Sequence, residues 1–324
     1  MRIRHKAFEV AAALAIVLAA PAQAWSNQGH MVTGAIAHDR LMEVQPALIA
    51  TVETMMQQHP EWPKFAAELA PYSGVARSRR LFELMARWPD DARGGPYDRA
   101  ASHYWVRILV STANPIPVPD ILRKAILGQG DEAYAVHYAT LADFSAPPAD
   151  RAMSLCWLMH LAGDIQQPLH AAQMASRQFP DADAAGSQAF VVTDTVPSMS
   201  LHMYWDNVVG GDDDNDPNVE AQRLRLEKLW PVGALPEYNG KAEPAAFRSW
   251  ADESYRLAWD VAYDRSRFEG APANMPPVPI PMPYQTNRDT LGGRRVALSG
   301  YRIADGLRLT LNYAAAVEAA LAKQ

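Results

Sequence analysis

His160-Leu161-Ala162-Gly163-Asp164-Ile165-Gln166-Gln167-Pro168-Leu169-His170 is the stretch on which the reading of this chain turns. His160 and Asp164 are four residues apart, so on a helix they project from one face, about one turn from each other. Two side chains at that spacing can grip one divalent metal. Pro168 bends or ends the helix and sends His170 in another direction. The segment thus offers three ligand-type groups facing two ways. Taken alone it reads equally well as a buried helix with paired polar groups.

Outward from this stretch, the same residue types recur. His202 and Asp206 repeat the four-residue spacing, His103 lies thirteen residues after Asp90, and His30 lies five after Trp25. A lone histidine is more often a core or surface residue than a ligand, and His38, His59 and His137 are read that way. Asp90 beside Asp91 also suits a solvated turn or helix cap, and Trp25 a core aromatic. One His-x-x-x-Asp pair arises often by chance. Two of them, with His170 added, favour metal chemistry.

The N-terminus reads as a targeting segment. Arg2, Arg4 and Lys6 precede an apolar run over 7–20, and Ala22-Gln23-Ala24 gives a small-x-small cleavage pattern. The expected division is a cleaved signal peptide at 1–24 and one domain at 25–324, secreted or periplasmic. The run is shorter than the ~20 residues that span a bilayer, and the single cysteine, Cys156, lies too deep in the chain for a lipid anchor. No membrane anchor is expected. Removing three basic residues and one acid from 30 and 36 leaves 27 Lys and Arg against 35 Asp and Glu, a net charge of −8. Such a chain is a poor candidate for gripping duplex DNA through a basic surface. Cys156, within Leu155-Cys156-Trp157-Leu158, reads as a buried, inert thiol.

Apolar residues recur at helical spacing over 32–50, 77–87, 121–127, 132–141, 151–165, 219–230, 244–264 and 294–321. Asn218 and Glu220 suit a helix start. A short strand is expected over 188–193, entered through Gly186. The acidic segment 210–217 reads as a solvated loop with an incomplete calcium-loop pattern, and 271–283, with six prolines, as an extended arm. The fold class expected is all-α: a single multi-helix domain with a short β-hairpin-like insertion.

At this point the ordered set of motifs resembles the zinc-dependent single-strand nucleases of the S-one/P-one type, which share a fold with bacterial zinc phospholipases C. Trp25 with Gly29-His30 matches the family's N-terminal tryptophan and Gly-His. Trp88-Pro89-Asp90 matches its Trp-Ala-Asp, with Arg93 three residues on. Ser102-His103-Tyr104 matches a strand-like Leu-His-Phe, 160–170 matches the hallmark in full, and Leu201-His202-Met203-Tyr204-Trp205-Asp206 matches Leu-His-x-x-Trp-Asp. The likeness continues through Ser299-Gly300-Tyr301-Arg302-Ile303-Ala304 and Leu311-Asn312.

The resemblance implies three zinc ions: one held by Asp90, His103, His160 and Asp164; one by the Trp25 amine and carbonyl, His30 and a bridging Asp164; one by His170, His202 and Asp206. These ligand types suit zinc. With three aspartates set against three divalent ions, the site keeps about three units of positive charge inside an acidic protein. The implied reaction is attack on phosphorus by a hydroxide bridging paired zincs about 3.5–4 Å apart. Asp90 orients the nucleophile, and Arg93 neutralises charge on the phosphate. The implied substrates are single-stranded DNA and RNA, cut to 5′-phosphate products, and 3′-nucleotides. Tyr104 stands where an aromatic stacks on the base. Val106 replaces a base-reading aspartate and cannot hydrogen-bond, so base preference does not carry over, and Ala185-Gly186-Ser187 departs from a Gly-Gly-Asn. Two alternatives stay open: a zinc phospholipase C, and a non-catalytic zinc-binding protein. The Trp25–His30 spacing and Asp206, where the phospholipases carry glutamate, favour the nuclease.

Overall fold

The computed structural model describes residues 25–213 and 215–323; the expected signal segment lies outside them. Among the described residues there are eleven α-helices and five short strands, so the all-α expectation holds. In chain order the elements are α1 (Asn27–Val44), α2 (Ala47–Met56), α3 (Trp62–Leu69), α4 (Gly74–Asp91), β1 (Arg107–Val110), α5 (Asp120–Lys124), α6 (Gly130–Ala142), α7 (Pro148–Asp164), β2 (Ala172–Ala175), β3 (Phe190–Val192), β4 (Met199–Ser200), α8 (Leu201–Asp206), α9 (Asp216–Leu229), α10 (Pro244–Leu257), β5 (Val278–Pro279) and α11 (Met282–Leu321).

Helix α7 is the central strut. It packs against α4, α6 and α11, while α1 packs on α4 and α11. Its residues from Ser154 to Asp164 are all buried, which is why it carries apolar side chains around its circumference rather than on one stripe. Two glycines let α1 approach its neighbours. A Cβ at Gly34 would lie 2.3 Å from the Phe82 carbonyl oxygen of α4, and one at Gly300 would lie 2.5 Å from Ile36.

Several expected boundaries move. The helix expected over 32–50 is two helices, because Pro46 disfavours helical geometry at Gln45, whose φ is −160°. Helix α3, unforeseen, enters with Pro63 in its first turn. The helix expected at 294–321 begins twelve residues earlier, at Met282. Pro283 sits in its first turn, where a missing N–H costs nothing, and Gly292 continues the helix where a Cβ would meet Val208 at 2.5 Å. Helix α9 starts at Asp216, capped by the Asn215 side chain on the Asn218 N–H, so Asn218 lies inside the first turn rather than before it. The segment expected to be helical over 244–264 is α10 followed by a π-helical turn at Ala258–Ala262.

The hairpin-like insertion is β3 paired antiparallel with β4, Phe190 opposite Ser200. The proline-rich arm is not simply extended: it supplies β5, parallel to β3, before α11 begins. The pair β1–β2 was not foreseen. It is parallel, with Arg107 opposite Ala172, and it zips the chain after His103 to the chain after His170. The match to a strand-like segment at 102–104 is displaced, since Ala100–His103 is a 3-10 turn and the strand starts at Arg107.

The acidic segment 210–217 is exposed at Asp212 and Asp213, yet it is not merely solvated. Asp212 accepts from the Asn27 N–H, Asp213 from the Gln28 amide, and the Gly211 carbonyl from the Gln28 N–H. It straps the first turn of α1 to the end of α8.

Candidate metal centre

Each residue singled out from the sequence reaches its place through a different element. His30 stands in the first turn of α1, which the Ser26 hydroxyl caps at the Gly29 N–H. Trp25 folds back over that turn, fully buried, and its indole N–H donates to the Gly163 carbonyl at 3.0 Å, next to Asp164. Asp90 lies in the last turn of α4 and His103 closes the 3-10 turn. His160 and Asp164 sit one turn apart on α7, His170 ends the short helix Pro168–His170, and His202 and Asp206 sit one turn apart on α8.

These residues gather into two adjoining groups. In the first, the His30 Nε2 lies 3.4 Å from an Asp90 oxygen and 3.3 Å from an Asp164 oxygen. The Asp164 Oδ2 lies 3.1 Å from the His160 Nε2 and 3.5 Å from the His103 Nδ1. In the second, the Nε2 atoms of His170 and His202 face each other at 3.2 Å, and the Asp206 Oδ2 lies 3.6 Å from His202. The Asp164 Oδ2 also lies 3.9 Å from the His170 Nδ1, the ring nitrogen turned away from His202. All eight of these side chains are buried, His30, His160 and His170 with no exposed surface. The sets His30/Asp90/His160, His103/His160/Asp164 and His170/His202/Asp206 each bring their ligand-type atoms close enough to hold one ion.

Backbone carbonyls fix the tautomers. The Nδ1 of His160 faces the Ala86 carbonyl at 3.0 Å, that of His170 the His103 carbonyl at 3.0 Å, and that of His202 the Ala185 carbonyl at 2.7 Å. A carbonyl only accepts, so in each ring Nδ1 carries a proton and the Nε2 lone pair points inward, open to a metal ion or a second proton. Two such lone pairs at 3.2 Å, and a third at 3.1 Å from a carboxylate oxygen, repel unless a cation lies among them. Both Asp164 oxygens, Asp90 Oδ2 and both His30 nitrogens lack any hydrogen-bond partner, which in a buried site is costly.

The electrostatics agree. Burial pushes the Asp206 carboxyl well above its usual range, and Asp164 and Asp90 push it further, beyond what the Gln167 hydrogen bond offsets. Burial works against a charged Asp90, but His160, His30 and the Arg93 guanidinium outweigh it and hold its carboxyl low. His103 is driven down chiefly by burial and presents a neutral ring. Imidazole nitrogens and carboxylates gathered in a buried pocket fit a divalent metal.

Around the first group, the Arg93 Nε donates to Asp90 at 2.7 Å and its Nη2 lies 3.2 Å from the His103 ring. The half-buried Tyr104 ring stacks on His170 with centroids 5.2 Å apart, and burial pushes its phenol up to about 12. Val106 is buried and paired through its backbone with Leu127. His38, His59 and His137 lie outside both groups: His38 bonds Asp39 and Ser78, His59 accepts from the Glu61 N–H, and His137 bonds Ser154. Cys156 is buried, its thiol raised by burial. Sequence reasoning missed the carbonyl anchors at Ala86, His103 and Ala185. Backbone oxygens leave no residue-type signal, and each lies far from its histidine in the chain.

A helical protein carrying two buried His/Asp groups built for cations belongs with the metal-dependent enzymes. The S1/P1 Nuclease family profile matches residues 25–312, nearly all of the described chain, and the chain belongs to that family. It is a metal-dependent nuclease, a hydrolase acting on nucleic acids. No curated protein matches it. No helix among the described residues is long and apolar enough to cross a membrane.

Proposed function

We propose that this nuclease is an exported zinc enzyme that hydrolyses single-stranded DNA and RNA to 5′-phosphate products and removes phosphate from 3′-nucleotides. The observation that carries the reading is the set of inward-facing Nε2 lone pairs on His160, His170 and His202 beside the unpartnered oxygens of Asp90 and Asp164. Three zinc ions would be held by Asp90, His103, His160 and Asp164; by Trp25, His30 and Asp164; and by His170, His202 and Asp206. Bound there, zinc supplies Lewis acidity toward the phosphoryl oxygens and lowers the pKa of water toward neutrality.

The protein's own groups do the rest. Asp164, with one oxygen toward His30 and the other toward His160 and His103, would be shared by the paired ions. Asp90, one oxygen held by Arg93, would offer the other to a metal and to the attacking water bound there. Arg93 stabilises charge as it builds on the phosphate. Tyr104, braced on His170, offers a ring face to a base, which unpaired strands can reach and stacked duplex cannot. The burial of this chemistry in an acidic protein makes affinity for phosphate local, so no duplex-specific binding follows.

Trp25 as the mature N-terminus is part of the proposal: its amine and carbonyl become ligands once 1–24 is cleaved. Support comes from the next residues, which are threaded in place by Ser26 N–H on the Asp206 carbonyl and the Ser26 hydroxyl on Gly210. A variant with one residue inserted before Trp25 is expected to lose zinc and activity; full retention of both would contradict this. The function is tested by presenting the mature protein with single-stranded DNA, RNA, 3′-AMP and phosphatidylcholine, with and without EDTA. Cleavage of the first three, abolished by EDTA and restored by zinc, is expected. Hydrolysis of the phospholipid alone would make it a phospholipase C, and inactivity on all four at full zinc content would make it a zinc-binding protein.

A further inference from the structure

We infer that Gln167, which is not among the candidate ligands, is the positioning residue that aims two of the three ligands of the His170/His202/Asp206 group. The inference rests on the zinc reading of that group. Gln167 is fully buried, in the turn joining α7 to the short helix Pro168–His170. Its Oε1 accepts the Leu169 backbone N–H at 2.5 Å, capping the short helix whose last residue is His170. Its Nε2 donates to the Asp206 Oδ1 at 2.8 Å.

The two bonds interlock. A backbone N–H only donates, so the Leu169 contact settles which end of the amide is oxygen and turns the N–H₂ end onto Asp206. Asp206 then has Oδ1 occupied and Oδ2 left toward His202, 3.6 Å away. His170, fixed by the cap and by its Nδ1 bond to the His103 carbonyl, meets His202 from the other side. One amide therefore sets the angle between a carboxylate on α8 and an imidazole on the turn after α7, elements 36 residues apart at His170 and Asp206. A carboxylate in place of the amide would keep the cap and lose the donor. A methionine would lose both.

The test is zinc affinity per site, read by competition with a chromogenic chelator and by metal content after dialysis. Gln167→Glu and Gln167→Met are each expected to lose one of three zinc equivalents, with a 10–100-fold weaker affinity at that site alone, the effect usual for partners of metal ligands. The other two equivalents and the far-ultraviolet circular dichroism stay as in the wild type. In an Asp206→Ala background, Gln167→Glu, which keeps the cap and loses only the donor, should add little, because its route of action is gone. Both variants binding the full complement with wild-type affinity would overturn the inference, as would equal weakening of all sites. His202→Ala separates the two readings: if it leaves zinc content unchanged, the metal assignment of this group fails whatever Gln167 does.

Discussion

Asp164 owes its position to a spacing and its chemistry to what surrounds it. Four residues after His160, it shares a helix face with that ring, and both were legible in the sequence because i and i+4 geometry is intrinsic to a helix. That the carboxylate would have no hydrogen-bond partner on either oxygen was not legible, since it depends on where three other segments place His30, His103 and His170. The same holds for Arg93. Its offset of three from Asp90 was visible, whereas its reach to both Asp90 and His103 needed the 3-10 turn to be placed. Arg93→Ala is expected to lower kcat on single-stranded DNA by about 10²–10³-fold, the usual cost of losing one preorganised donor to a developing oxyanion. Steady-state kinetics would check this, and a change confined to KM would contradict the role. Arg93→Lys should recover only part of the loss, since an ammonium lacks the fork that spans two acceptors.

At the level of elements, the helices with strong periodicity were legible and their ends were not. Pro46 splits one helix and Pro283 opens another, because proline's effect depends on whether it falls in a first turn. The parallel β1–β2 pair escaped notice for a different reason: four-residue strands carry little periodicity, and their partner is 65 residues away in the chain. A buried brace holds the turn between the two metal groups. Arg295 of α11, 1% exposed, donates to the Gln166 side chain at 2.6 Å and its carbonyl at 3.1 Å, and with Arg302 it pairs Glu253 of α10. Arg295→Met leaves Glu253 and the Gln166 side chain paired with Arg302 but strips the Gln166 carbonyl and Ser254 of their donor, and is expected to destabilise the fold by about 1–3 kcal/mol in a denaturant titration. Gly34→Ala would press a methyl into the Phe82 carbonyl and force α1 from α4, which carry His30 and Asp90. About 1–3 kcal/mol of stability should be lost, together with zinc affinity at the first group; unchanged zinc binding would show that the α1–α4 approach does not set it.

Across the whole molecule, the fold is a frame of helices around α7 with its candidate metal ligands gathered at one buried junction. Acid should act on this frame before it acts on the surface. Burial pushes His59 and His137 down to about 4 from an ordinary 6.5. Their folded pKa lies below the unfolded value, so the unfolded chain binds more protons in this range. The stability they support is present above about 6.5 and lost as pH falls toward 4. The unfolding temperature of the zinc-free protein is expected to drop across that window, and a His59→Gln/His137→Gln variant to show a flatter profile; parallel profiles would place the acid sensitivity elsewhere. The central claim is that the two His/Asp groups are the zinc centre of a nuclease. It is tested most directly by an anomalous difference map at the zinc edge, from crystals of active mature protein. The account predicts two peaks among His30, Asp90, His103, His160 and Asp164, and one among His170, His202 and Asp206. Active, zinc-loaded crystals with no peak at either group would contradict it.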